Sequence, residues 1–498
     1  MAMLLGLTEV LLDKIKEGLD AAGLVKLAST SHACRENAWI QATLEEFVWE
    51  KVAALSVSGN TELEEWDRYE NSAALSAAKE ARAEGAKELA ALLMKTTTPA
   101  SSITLCGVAL PIRSLKGTAH DPVEKLGMSG RELCVSPGIV VAKLVEFNTR
   151  LTDLDVHASH IDVISVRAFA AALRTNTTLQ TLDISENYTT MNAIARVLEV
   201  NKTLQTLNIS KTGITFDGWK AIAKALKTNK TLRTLSASFI GTEGCSVVAG
   251  ALKANKTLHM LNVSSNSVGP AGGSVFASAL WTNVALQTLD ISSNSIGPTG
   301  GSAFAGALGT NTTLRELYIL NNCIGSTGGS AIAKALGTNK TLQMLDISSN
   351  SIGSAGWYAL AEALGTNTTL QTMYISANPI GTEECIAFAE ALKANATLQT
   401  LDISANCINP AGCYAFAKVL ECNQSLTSLD LSCNRDLQGN VYMTGGGPQL
   451  GDSIDRLARG LRVNSALTAL DISLCGIDEH SVNVIQNHVP RGFEILFE

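Results

Sequence analysis

Aromatic side chains make up only 5% of this chain and charged ones only 17%, so neither a large ring-lined pocket nor a densely charged surface is expected from it. No apolar run of the roughly 18–20 residues that cross a bilayer occurs, which excludes an ordinary membrane-spanning helix. There is no block of Lys or Arg, and 38 basic minus 46 acidic residues leaves a net charge of −8. That balance disfavours nucleic acid or an anionic membrane as the main partner. Cys-x-x-Cys, His-Glu-x-x-His, Gly-x-Gly-x-x-Gly and Gly-x-Ser-x-Gly are all missing, and Gly445, Gly446 and Gly447 are not followed by the Lys-Ser/Thr of a phosphate loop. The start, MAMLLGLTEVLLDKIKEG, has no basic segment ahead of its apolar stretch and soon turns charged, so no secretory signal is expected there. The 11 cysteines are odd in number and show no paired spacing, as reduced thiols of a cytoplasmic or nuclear protein would.

What is present is a unit. The stretch LQTLDISSNSIGPTGGSAFAGALGTN, residues 286–311, recurs with small changes, its first leucine falling at Leu151, Leu179, Leu204, Leu232, Leu258, Leu286, Leu314, Leu342, Leu370, Leu398, Leu426 and Leu467. The intervals are 28, 25, 28, 26, six of 28, and finally 41. A fixed period of this length means a stacked array, because one unit cannot bury its apolar side alone. Within the unit, Leu289 and Ile291 alternate with Thr288, Asp290 and Ser292, the period of a short half-buried strand. Gly/Pro punctuation follows, and then Phe304 and Leu308 at the spacing of one helical face.

This unit resembles the leucine-rich repeat, and its long helical half and 28-residue period resemble the ribonuclease-inhibitor-like subfamily. The resemblance implies an α/β fold: a leucine-rich-repeat solenoid with a curved parallel sheet inside, helices outside and a small all-α N-terminal domain. The polar position eight residues after the first leucine is held by Asn187, Asn266, Asn294, Asn322, Asn350, Asn378, Asn406 and Asn434, where a buried carboxamide can join backbone groups of successive turns. Cys475 stands there in the last repeat, Ser159 and Thr212 in two early ones, and the repeat from Leu232 has lost it, so local irregularity is expected early. Nine of the twelve asparagines that precede a first leucine open an Asn-x-Ser/Thr sequon, which repeat register explains better than modification does.

Alternation places the residues two, four and six positions after the first leucine on the wet face of the strands. The middle column reads as a carboxylate ladder, with Asp290, Asp346, Asp402 and Asp430 among its members, interrupted by Tyr318 and Tyr374. Glu316 and Leu320 share a strand with Tyr318. Tyrosine is a favoured interface anchor, since a large ring is immobilised at low entropy. These eight residues are the expected partner-binding set, and the chemistry of the face suits a basic or amide-rich polypeptide. Asp153, Asp155, His157, His160 and Asp162 are the nearest approach to a metal site, but histidines near aspartates on a wet strand arise readily by chance. No metal, no cofactor and no catalytic residue is expected.

Residues 7–52 do not follow the repeat. Leu11, Leu12, Ile15 and Leu19 form one helical stripe, Leu24 and Leu27 begin a second, and Phe47 with Trp49 lies on a third. Together with Leu7, Asp20 and Arg35 these residues resemble an F-box, although Thr8 stands where that motif has proline. The resemblance implies docking of a Skp1-like adaptor by Leu7, Leu11, Leu12, Ile15, Leu19 and Leu24, each apolar side chain contributing about 1.5–3 kcal/mol gross on burial. The expected organisation is an F-box-like segment over 1–55, a helical spacer or cap over 56–100, and the repeats over 101–498 with a rim insertion at about 435–453. The chain then reads as a non-enzymatic substrate receptor of an SCF-type ubiquitin ligase, monomeric apart from that complex and holding an unidentified target protein. A leucine-rich-repeat scaffold or regulator without ligase role is the alternative, and a small-GTPase-activating protein the third.

Overall fold

The structure is a computed structural model, and it describes residues 103–105, 108–110, 123–131, 133, 135–434, 450–475, 479–488 and 493–496. The F-box-like residues Leu7, Leu11, Leu12, Ile15, Leu19 and Leu24, and most of the expected insertion, lie outside the described residues. The chain falls into two compact units, residues 1–235 and 236–498.

In the first unit, β1 (Ile103–Leu105) and β2 (Val108–Leu110) form an antiparallel pair. Then come β3 (Lys125–Gly127), α1 (Val135–Phe147), β4 (Asp153–Asp155), α2 (Val163–Thr175), β5 (Thr181–Asp183), α3 (Asn192–Val197), β6 (Thr206–Asn208) and α4 (Phe216–Leu226). Strands β3 to β6 pair in parallel and in register, so that Leu126, Leu154, Leu182 and Leu207 form one row. Strand β3 was not expected. Val123 sits where the first leucine would be, 28 residues before Leu151, and hides the repeat from a leucine search. The 25-residue interval after Leu179 is absorbed by α3, which is only 6 residues long.

The division between the units falls within β7 (Thr234–Ser236). The second unit continues with α5 (Gly241–Leu252), β8 (Met260–Asn262), α6 (Gly269–Leu280), β9 (Thr288–Asp290), α7 (Gly297–Leu308), β10 (Glu316–Tyr318), α8 (Gly325–Thr338), β11 (Met344–Asp346) and α9 (Gly353–Thr366). After these come β12 (Thr372–Tyr374), α10 (Thr382–Ala394), β13 (Thr400–Asp402), α11 (Pro410–Leu420), β14 (Ser428–Asp430), α12 (Leu450–Val463), β15 (Ala469–Asp471), α13 (Glu479–Gln486) and β16 (Glu494–Leu496). Strands β8 to β16 pair in parallel, each with the next. Leu429 of β14 still faces Leu470 of β15, so the 13 additional residues of the 41-residue interval leave the stacking intact.

Each coil buries the same set. In the repeat that opens on Leu286, Leu289 and Ile291 are fully buried, and Phe304 and Leu308 of α7 close over them as their spacing predicts. The helices need close approach as well as apolar mass. A Cβ added to Gly301 would lie 3.0 Å from Ile324 Cβ and 3.1 Å from Gly328 Cα, so the glycine lets one helix backbone settle against the next.

Two rows of asparagine join the coils. Asn294 Nδ2 donates to the carbonyls of Val263, Ile291 and Ser292 at 2.9–3.0 Å, while its Oδ1 accepts from Asn266 N at 2.9 Å and Val268 N at 3.3 Å. Its neighbours Ser293 and Ser295 take left-handed φ values of 54° and 52°, unusual for residues with a Cβ, and these turn the chain around the carboxamide. Ser159 replaces part of this wiring, its hydroxyl donating to Met128 O at 2.8 Å. In the repeat from Leu232 the turn is two residues shorter: Gly241, at φ +73°, lies nine residues after the leucine, whereas Gly297 lies eleven after Leu286. The second row is the set of asparagines before the strands. Asn311 accepts from Thr313 N and Leu314 N and donates to Leu280 O and Asn283 O of the preceding coil, and it is buried, as are its counterparts in the other repeats. A buried group left without such partners would cost about 1–3 kcal/mol, so these amides hold coil to coil.

Candidate functional site

Because β-strand side chains alternate, the buried row Leu289, Leu317, Leu345, Met373, Leu401 and Leu429 obliges its neighbours to face away from the helices. In the second unit the middle column of that open face reads Asn262, Asp290, Tyr318, Asp346, Tyr374, Asp402, Asp430 and Asp471, each directly beside the next in the ladder. All eight residues expected to bind a partner lie here. Glu316, Tyr318 and Leu320 are half-buried on one strand and its continuation, and Thr288 Oγ1 donates to Glu316 Oε2 at 3.1 Å.

The aspartates share one local fixing. Oδ1 of Asp290, Asp346, Asp402, Asp430 and Asp471 accepts the backbone N–H two residues on, from Ser292, Ser348, Ser404, Ser432 and Ser473, at 2.8–3.0 Å. That contact aims each carboxylate along the strand without neutralising it. Asp346, between the two tyrosines, is 9% exposed and is the most buried of them. Burial pushes its pKa up, the N–H and the hydroxyl of Ser348 act against this, and the Asp402 and Asp290 carboxylates add to the rise. Asp430 is raised by burial too, and the Tyr318 phenol is pushed up by burial and then by Glu316. One further group belongs to the place: Ser292 Oγ, on a residue 6% exposed, is buried and makes no hydrogen bond. Repeat position put this serine on the wet face, but an unmet hydroxyl cannot be read from a sequence.

The first unit treats its acids differently. Lys125 Nζ lies 3.8 Å from Asp153, His157 Nδ1 lies 2.8 Å from Asp155 Oδ1, Asn208 Nδ2 donates to Asp183 Oδ2 at 2.9 Å, and Lys211 Nζ lies 2.8 Å from Glu186 Oε1. His157 has its pKa raised, first by the hydrogen bond its Nδ1 donates to the Asp155 carboxylate. Asp155, His157 and Asp183 bring one ligand atom each within 4.8 Å of one another. Asp183 Oδ1 also accepts Ser185 N and Ser185 Oγ. His160 and Asp162 do not join them. His160 sits in a left-handed turn, and Asp162 caps α2 by accepting Ser165 N at 2.8 Å.

At the edge where the strands begin, each unit has an open groove. That of the first, about 550 Å³, carries Arg150, Lys202, Lys230 and Arg233 with Glu124; that of the second, about 620 Å³, is lined mainly by Thr and Gln with Lys340. The eight described cysteines are all free, and burial pushes the Cys245 thiol up to about 12, which makes it unreactive. Among the described residues no helix is long and apolar enough to cross a membrane.

The family described as "Leucine Rich repeat" matches residues 200–223, 254–277, 282–305, 310–333, 338–361, 394–417 and 422–440. No curated protein matches. Among solved structures, the complex of Rad7 and Elc1 from yeast is similar at 15% identity and a TM-score of 0.48, over 90% of this chain and 98% of that one. Leiomodin-1 actin-binding site 2 is similar at 23% identity and a TM-score of 0.23, over 25% of this chain and 73% of that one. The seven matched segments are leucine-rich repeats, and the fold is an α/β solenoid of parallel strands and alternating helices.

Proposed function

We propose that this chain is a protein-binding receptor whose open strand face selects a polypeptide, while the chemistry performed on that polypeptide belongs to other proteins. The observation that carries the reading is the column Asp290, Tyr318, Asp346, Tyr374 and Asp402, where two half-buried rings interrupt a row of carboxylates held in place by backbone N–H groups. Such a row presents recognition groups along an extended surface and does not converge them on one reacting atom. The helices of 11 to 14 residues in α5 to α11 and the 28-residue period fit the ribonuclease-inhibitor-like subfamily of the repeat.

The F-box-like pattern from Leu7 to Trp49 supports the finer reading: a head that docks a Skp1-like adaptor of an SCF-type ubiquitin ligase, in the cytoplasm or nucleus, while the repeats hold the protein to be modified. A leucine-rich scaffold without ligase role is the second reading, since the open face is built wholly from residues beyond the head.

Affinity purification of the full chain followed by mass spectrometry separates the readings. A Skp1-type adaptor and a cullin are expected, and their capture should be lost with the double substitution Leu11→Asp and Ile15→Asp while thermal melting of the repeats is unchanged. Capture indifferent to those substitutions removes the ligase assignment and leaves the scaffold. Recovery of a small GTPase instead, with accelerated GTP hydrolysis, would establish the third reading.

A further inference from the structure

The two units handle the acids of their open faces in opposite ways. In the first, Lys125, His157 and Asn208 partner Asp153, Asp155 and Asp183, and Lys211 partners Glu186 at the adjoining turns. In the second, none of the residues two, four or six places after a first leucine is Lys or Arg, although Asp290, Glu316, Asp346, Asp402, Asp430 and Asp471 all lie among them. A compensated surface is complete without a ligand. An uncompensated one calls for positive charge from outside.

The demand is sharpest at Asp346. It is the most buried carboxylate of the column, its Oδ1 accepts one backbone N–H, and Tyr318 and Tyr374 stand on the strands to either side. Beyond Tyr318, on the continuation of β9, the Ser292 hydroxyl is buried and unpartnered. Strands two apart in a sheet are separated by roughly 10 Å, so the space between the tyrosines admits one extended side chain rather than two. Two aromatic rings flanking a half-enclosed carboxylate, with no Lys or Arg at the strand positions around it, are surroundings that an ammonium or guanidinium group satisfies.

We infer that Asp346, with Tyr318 and Tyr374, is the seat of a single lysine or arginine side chain presented by a protein that lies across the open face of the second unit. This inference rests on the receptor reading above and adds the chemistry of its central contact. The cation supplies the charge that the first unit finds among its own residues, and the rings cover its methylene stem.

The test uses random displayed peptides selected on the full chain, with the winners measured by fluorescence polarisation. Selected peptides are expected to carry one Lys or Arg whose replacement by norleucine or citrulline weakens binding roughly tenfold or more. Asp346→Asn, nearly isosteric, should weaken the same peptides to a similar extent. Asp471→Asn in the same column should change affinity less than about twofold. Both variants are melted alongside wild type, and Asp346→Glu, which keeps the charge, should restore part of the lost affinity. Peptides that lose binding with Tyr318→Ala yet ignore Asp346→Asn and the norleucine replacement would overturn the cation seat and leave the receptor reading standing. If every selected peptide ignored Tyr318→Ala, Tyr374→Ala and Asp402→Asn alike, the open face would not be the recognition surface and both would fall.

Discussion

At the scale of single residues, Asp346 couples stability to pH with a definite sign. Burial raises its pKa in the folded state, so its protonated form fits the fold better than its charged form. The stability it contributes is complete below the unfolded value of about 3.9 and is lost as pH rises through the folded value. Asp346→Asn keeps an oxygen for the Ser348 N–H and carries no charge, so at neutral pH it should melt above wild type, with the difference vanishing in acid. Relief of repulsion from Asp290 and Asp402 acts in the same direction. Thermal melts of both proteins from pH 3 to 8 check this, and a variant that melts below wild type at neutral pH would refute it. The alternation in the sequence was enough to set Asp346 between Tyr318 and Tyr374 on the wet face, because a strand period of two leaves no choice. Its degree of burial was not legible, since that depends on how far side chains from coils 28 residues away lean over it. The unmet hydroxyl of Ser292 left no trace in the sequence either: Ser185, at the corresponding position, donates to Asp183 at 2.6 Å.

At the scale of elements, the glycines of the helices separate into those that permit packing and those that merely weaken the helix. Gly329 in α8 belongs to the first kind, as an added Cβ would lie 2.8 Å from Ile352 Cβ. Gly250 in α5 belongs to the second, with nothing within 4 Å. The same change to alanine should therefore act in opposite directions: Gly329→Ala is expected to cost about 1–3 kcal/mol through overpacking, and Gly250→Ala to add about 0.5–1 kcal/mol through helix propensity. Urea unfolding of the two variants checks the pair of signs. The helix faces themselves were readable from residues such as Phe304 and Leu308, whereas β3 and β16 escaped because neither strand is preceded by a leucine at the first position. Both strands exist because a paired neighbour supplies the hydrogen bonds that their own sequences do not advertise, as when Glu494 N donates to Thr468 O at 2.9 Å.

At the scale of the whole molecule, order passes from coil to coil, and each coil depends on its neighbours alone. Within the second unit, β9 to β13 have paired strands on both sides, while among the described residues β16 pairs with β15 alone. Native-state hydrogen exchange should be slowest at amides such as Ile319 and Ile347 and progressively faster toward β15 and β16, and uniform protection along the unit would contradict a nearest-neighbour fold. The same wiring restricts how the chain can be made. Asn176, Asn201, Asn229, Asn311, Asn339, Asn367, Asn395 and Asn423, all in sequons, spend amide hydrogens on the previous coil and are at most 7% exposed. An oligosaccharide linked to any of those nitrogens would be too bulky for the space and would remove a bond that joins two coils. Glycan addition and folding are thus mutually exclusive outcomes at each such site, and recombinant production belongs in a host compartment without the transferase.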